Sequence, residues 1–172
     1  MHGFERVAPG VSGWDRVVAG YTKAIEAADV EDDQIDLRMN LGRVLTQIGK
    51  IPEAIRQYRS VYEVRNDHAD AIAALGGLYR QTNRYPELLE IYDRRIELEG
   101  DSDARRQLAY ERAALFENEL ADADSAVQAY QGILAEWGDD EAEAYRALDR
   151  LFESEGRWQD FARTLERRID LG

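Results

Sequence analysis

The sequence predicts an all-α protein, a right-handed α-solenoid of stacked helix-turn-helix units, and three observations carry that expectation. Pro52 and Pro86 stand 34 residues apart, as do Leu41-Gly42 and Leu75-Gly76, and the aromatics Tyr58 and Tyr92. A fixed period of this length is a signature of stacked two-helix units, none of which can bury its apolar face alone. Apolar residues step by three and four throughout, the spacing of one buried helical face, and no segment shows the sustained alternation of a strand.

Taken in order, the stripes predict nine helices, a first (A) and a second (B) helix per unit, with a lone B helix opening the array. That opening helix carries Trp14, Val17, Val18, Tyr21, Ala24 and Ile25. Leu41, Val44, Leu45 and Ile48 then mark an A helix, and Ala54, Ile55, Tyr58, Val61 and Tyr62 its B partner. The pair recurs as Leu75, Leu78 and Tyr79 with Leu88, Leu89, Tyr92 and Ile96. A looser copy has Leu108, Ala109, Ala113, Leu115 and Phe116 with Ala126, Val127, Tyr130, Ile133 and Leu134. The last pair has Leu148, Leu151 and Phe152 with Phe161, Ala162, Leu165 and Ile169. The organisation expected is a flexible segment over 1–13 and four and a half repeats over 14–172.

Boundary signals agree with this register. Acidic clusters precede the A helices at Glu31-Asp32-Asp33, Asn66-Asp67, Asp101-Ser102-Asp103 and Asp139-Asp140-Glu141. There a short acceptor side chain caps free N–H groups and favours the positive end of the helix dipole. Calcium binding is the weaker reading of these acids, since none forms the Asp-x-Asp-x-Asp-Gly loop with a Glu at its twelfth position. Gly49-Lys50, Asn83-Arg84 and Gly156-Arg157 mark the A-to-B turns, as glycine and asparagine suit the left-handed residue that ends a helix. Pro52 and Pro86 follow in the first turn of a B helix, where proline loses no hydrogen bond. The turn at Glu117-Asn118-Glu119-Leu120-Ala121 is longer and lacks glycine, so it should be the least regular.

Composition narrows the function classes. The 172 residues carry 22 basic and 35 acidic side chains, a formal net charge of −13, which repels phosphate and argues against nucleic acid and anionic membranes as partners. There is no cysteine, and His2 and His68 are the only imidazoles, so no structural zinc site and no metal or cofactor is expected. No apolar run of membrane-spanning length and no signal-peptide core is present, which suggests a cytoplasmic protein. His68 has no nucleophile signature near it, phosphate-binding glycine loops are missing, and no catalytic residue is assigned.

These residues resemble the tetratricopeptide repeat family, as a bacterial array or a piece of one. Leu75-Gly76 with Tyr79, and Gly49, Ala54 and Tyr58, match its pattern of Leu-Gly and an aromatic on the first helix, then Ala and an aromatic on the second. The likeness covers about residues 14 to 171 and is strongest through Tyr92. Arg112 stands at a normally apolar position, Asp149 at a small one, and Arg95 and Arg168 replace the second small residue of the B helix. Arg94-Arg95-Ile96-Glu97-Leu98 and Arg167-Arg168-Ile169-Asp170-Leu171 recur 73 residues apart. Thr164 in place of Ile91 narrows the last stripe, as a solvent-facing terminal repeat requires, while the overall pattern equally fits an array cut from a longer one.

The resemblance implies a concave wall of A helices whose ligand-facing positions fall between the core positions. Here those are Met39, Asn40 and Arg43, then Ala73, Ala74 and Gly77 with Arg80 nearby, then Tyr110, Glu111 and Ala114, then Arg146, Ala147 and Arg150. Leaving Arg80 aside, these twelve hold three arginines and one glutamate, a charge of +2 on a protein of −13. The arginine fork suits carboxylates, so the expected function is a non-catalytic interaction module binding an acidic or C-terminal peptide segment in its groove. The plainer reading pairs these arginines with Asp36, Asp70, Glu143 or Glu153 on neighbouring turns. The dicarboxylate clamp of chaperone-binding members needs lysine and asparagine, and only Asn40 is present. The alternative function is a scaffold or self-associating array, pairing through terminal helices such as the first, where Trp14, Val18 and Ile25 lack an A partner.

Overall fold

The structure, a computed structural model, describes residues 11–170. Among these there are nine helices and no strand: α1 (Val11–Ala27), α2 (Glu31–Gln47), α3 (Ile51–Val64), α4 (Ala69–Gln81), α5 (Tyr85–Leu98), α6 (Ser102–Asn118), α7 (Ala123–Trp137), α8 (Ala142–Ser154) and α9 (Trp158–Asp170). α1 starts at Val11, so the last three residues of the expected flexible segment are helical, and 1–10 lie outside the described residues. Two compact units divide the chain, Met1–Gln81 with α1 to α4 and Thr82–Gly172 with α5 to α9. No described helix is long and apolar enough to cross a membrane.

Within each unit every helix packs on its chain neighbour: α1 on α2, α2 on α3 and α3 on α4 in the first, then α5 on α6 and onward to α9 in the second. The first core is built from Ile35, Met39, Leu45, Ile55, Tyr58, Val61, Ile72 and Leu75, all almost fully buried. The second gathers Val127, Tyr130, Ile133, Leu134, Tyr145, Leu148, Leu151 and Phe152 around Ala113, Ala126 and Ala144. Small residues at the helix crossings let the backbones approach. A Cβ built on Gly42 would sit 2.6 Å from Cζ of the Tyr58 ring, which explains the glycine of the Leu41-Gly42 pair. Among the described residues no charged side chain is buried.

The turns behave as their residues predict. Gly49, Asn83 and Gly156 take φ of +78°, +55° and +65°, left-handed values. The N–H groups of Lys50 and Arg157 donate back to the Leu45 and Phe152 carbonyls at 2.8 Å each, closing the α2 and α8 ends. After α6 the loop is one residue wider, with Asp122 N–H reaching the Phe116 carbonyl at 2.9 Å, and an alanine, Ala121, is left at φ +49°.

Caps are where expectation and structure differ. Asp101 caps α6 by accepting from Ala104 N–H at 2.8 Å, as expected. For α4 the cap is His68, whose Nδ1 accepts from Ala71 N–H at 3.2 Å, in place of Asn66 or Asp67. α2 and α8 have no side-chain cap bond; Glu31, Asp32 and Asp33 sit inside the first turn of α2, where their charge still favours the dipole. An additional cap appears on a B helix, where Asp122 accepts from Ser125 N–H at 3.1 Å and Ser125 Oγ at 2.7 Å.

At the glycine-free turn, Ala121 is exposed and left-handed. A left-handed conformation costs an L-residue about 1–2 kcal/mol, partly offset in glycine by its larger unfolded-state entropy. Ala121→Gly is therefore expected to stabilise the chain by about 0.5–1 kcal/mol, read as a higher urea midpoint at unchanged slope. A lower midpoint would mean that this turn is not strained.

Candidate functional site

The A helices α2, α4, α6 and α8 each leave one stripe exposed, and the sequence-predicted site residues divide between the two units. In the first unit Arg43 is exposed and donates from Nη1 to Asn40 Oδ1 at 2.8 Å, so one predicted residue satisfies another. Met39 is only 4% exposed and belongs to the core, because it lies one turn from Ile35 on the buried stripe. Ala73, Gly77 and Arg80 are exposed on α4, with Ala74 half-buried. In the second unit Ala147, at 2% exposure, is likewise core, one turn from Ala144 and Leu151. Arg146 and Arg150 are exposed on α8, flanked along the same stripe by exposed Glu143 and Glu153.

Tyr110 and Arg150 belong to two polar clusters of α6, α7 and α8 that meet at the Tyr110–Tyr130 ring contact. Arg150 grips Glu117 of α6 with both Nε and Nη2, at 2.8 and 3.0 Å, and Glu117 Oε2 also accepts the Tyr130 hydroxyl at 3.0 Å. Tyr110, whose ring centre is 6.3 Å from that of Tyr130, donates its hydroxyl to Glu141 Oε2 at 2.9 Å. Glu141 also receives Arg106 at 3.0 Å. Glu111 is exposed and accepts the Tyr92 hydroxyl at 3.0 Å. The arginines thus do not take the short-range partners Asp36, Asp70, Glu143 or Glu153: Arg150 reaches an acid 33 residues back, and Arg43 finds an amide. Arg146 has no side-chain hydrogen bond or ion pair among the described residues.

Each of these tyrosines keeps its proton and donates a hydrogen bond to a carboxylate at a partly dry helix junction. Burial pushes the Tyr110 and Tyr130 phenols well above their ordinary value, and the acceptors Glu141 and Glu117 raise them further. Tyr145 is raised by burial and by Asp139, which accepts its hydroxyl at 2.8 Å. The folded state therefore prefers the neutral phenols. Their contribution is complete below the ordinary phenol value of about 10 and is lost as pH climbs above it. Melting temperature should hold to about pH 10 and then fall. In ultraviolet absorbance the phenolate signal of Tyr110, Tyr130 and Tyr145, isolated by difference against their Phe variants, should appear only together with unfolding; its appearance near pH 10 in a still-folded chain would contradict this environment.

A concavity of the second unit lies between α5, α6 and α7, with a volume of about 540 Å³. Its lining includes the large Ile96, Phe116 and Trp137 and the small Ala109, Ala129 and Gly132. The charges around it are matched internally. Arg112 Nε lies 2.5 Å from Asp93 Oδ1, an ion pair that is not aligned as a hydrogen bond, and Arg105 meets Glu136 at 2.9 Å. The guanidinium of Arg112 covers the Phe116 ring at 5.1 Å, and that of Arg105 the Trp137 ring at 5.8 Å. Sequence reasoning missed this cleft; its one signal was an arginine at the normally apolar position 112.

The tetratricopeptide repeat family profile matches residues 71–106, across α4, α5 and the start of α6. No curated protein matches the sequence. Among solved structures, MamA AMB-1 is 18% identical with a TM-score of 0.51, covering 93% of this chain and 87% of its own. A MamA RS-1 double mutant is 12% identical with a TM-score of 0.50, covering 92% of this chain and 84% of its own. A tetratricopeptide repeat protein from Parabacteroides merdae is 18% identical with a TM-score of 0.48; this chain spans 59% of its length. At such identities the likeness is one of fold, and the chain is a helical-repeat protein that carries a tetratricopeptide repeat at 71–106, the kind of repeat generally used to bind other proteins.

Proposed function

We propose that the chain is a non-catalytic interaction module whose second unit holds an acidic or carboxylate-ended peptide segment against α8. The observation that carries this reading is Arg146: an exposed guanidinium without a side-chain partner, one turn from Arg150 on the same face. A planar guanidinium binds a carboxylate through two parallel N–H bonds, and a second arginine a turn away gives the ligand a direction. Arg150 contributes less, since Glu117 already occupies it. Apolar contact is assigned to Tyr110, which is anchored on Glu141 just before α8 and lies against Tyr130, whose hydroxyl shares Glu117 with Arg150.

The test is affinity capture with the chain as bait, mapping of the captured segment, and comparison with Arg146→Ala and the Arg146→Ala/Arg150→Ala double variant. The double variant should bind at least about tenfold more weakly, the size of one lost charge-assisted contact. Arg146→Ala is a surface change and should shift stability by no more than about 0.5 kcal/mol. Binding should also weaken with salt, because exposed pairs are screened over about 8 Å at physiological ionic strength. A double variant that holds its partner as tightly as the parent, or a segment mapped to α5 and α7, overturns the proposal.

A further inference from the structure

α9 differs from every other helix of the second unit in leaving a full apolar stripe in solvent. One side of it lies on α8, with Phe161 half-buried against the core. Another side exposes Trp158, Ala162, Leu165 and Ile169, at steps of four, three and four; Trp158 is 60%, Leu165 38% and Ile169 75% exposed. Thr164 does not narrow this stripe, because its hydroxyl turns back to the Asp160 carbonyl at 2.9 Å. α5, whose end sequence α9 repeats, packs on α6 and exposes only 2% of Leu88 and of Tyr92. The other exposed large apolar residues are isolated: Val30 stands among Asp29, Glu31, Asp32 and Asp33, Val64 between Glu63 and Arg65, and Leu98 between Glu97 and Glu99. α1 leaves less apolar surface than α9, since Ile25 is buried and Trp14 and Val18 are half-buried.

We propose that α9 pairs antiparallel with α9 of a second copy of this chain, forming a two-fold dimer. Two features favour a second copy as the occupant. α9 is electrically neutral, with Arg163, Arg167 and Arg168 offset by Asp160, Glu166 and Asp170, so two chains of −13 each meet where their repulsion is smallest. The stripe is also self-complementary: turned antiparallel, Trp158 of one copy meets Ile169 of the other, and the small Ala162 meets Leu165. The flank beside it places the exposed Glu166 of each copy near Arg163 of the other, and Arg163 is 74% exposed, held among the described residues by a 3.6 Å contact to Asp160. A two-fold interface needs this matching of one surface with itself. A single helix face of 13 residues is small beside the roughly 800 Å² per partner of standard interfaces, so the dimer is expected to be concentration-dependent.

The experiment is sedimentation velocity on the whole chain from micromolar to near-millimolar concentration, with thiol cross-linking. Average mass should rise from the 19.7 kDa monomer toward twice that value, and the rise should shift to lower concentration as salt screens the repulsion. That salt response is opposite in sign to the one expected of the peptide site, so the two proposals fail separately. Ile169→Asp, at an exposed position, should abolish the rise while leaving helicity and melting temperature unchanged. The sequence has no cysteine, so Ala162→Cys adds a single thiol next to the two-fold axis. It should cross-link through a short bismaleimide far faster than Gln107→Cys on α6. A monomer at all concentrations, a dimer indifferent to Ile169→Asp, or equal cross-linking of the two cysteine variants overturns the proposal.

Discussion

No helix in this chain can hide its apolar face by itself, and the structure follows from how each one borrows a neighbour. Stripes spaced by three and four are buried only where the next helix lies against them, which makes the close approach of successive helices the governing constraint. Gly42 under the ring of Tyr58 shows how tight that approach is: a single added carbon would collide with the aromatic. The buried alanines Ala54, Ala71, Ala113, Ala126 and Ala144 serve the same purpose. α9 shows the other side of that constraint: among the described helices it packs chiefly on α8, its stripe stays in water, and it has no buried residue.

Close approach also explains the recurring polar device of the second unit. A tyrosine ring fills the junction between helices, and its hydroxyl reaches the edge where a carboxylate waits: Tyr92 with Glu111, Tyr110 with Glu141, Tyr130 with Glu117, Tyr145 with Asp139. The bond satisfies a phenol that would otherwise be partly desolvated without a partner. It also gives the acids of an acidic protein something to do besides repel one another. Arginines complete the arrangement, with Arg150 on Glu117, Arg106 on Glu141 and Arg167 on Asp139.

Departures from the repeat pattern that looked unfavourable one at a time prove to be matched. Asp149 and Arg168, each at a position where a small residue is usual, form an ion pair across α8 and α9 at 2.5 Å, and Arg168 also covers the Tyr145 ring at 5.4 Å. Arg112, at an apolar position, pairs with Asp93 and lies over Phe116. Arg95 lies over the Tyr92 ring at 5.8 Å. Each of these side chains replaces a small or apolar residue of the pattern, and the cleft between α5 and α7 opens beside Arg112.

What the sequence determined by itself is what local geometry controls. The three-four stripes set the nine helices of the described residues, and the left-handed residues at Gly49, Asn83 and Gly156 fell where the turn chemistry placed them, because dihedral preference acts within a few residues. Tertiary structure alone decided which side of each stripe is covered and which acid each arginine takes. Met39 and Ala147 are core, contrary to their place between stripe positions, because the neighbouring helix covers a wider arc than the stripe suggests. With 35 acids in the chain, Arg150 had many candidates in sequence; the rotation of α6 against α8 selected Glu117 and left Arg146 facing solvent. That rotation is set by side-chain volumes from both helices at once, which no single stretch of sequence contains.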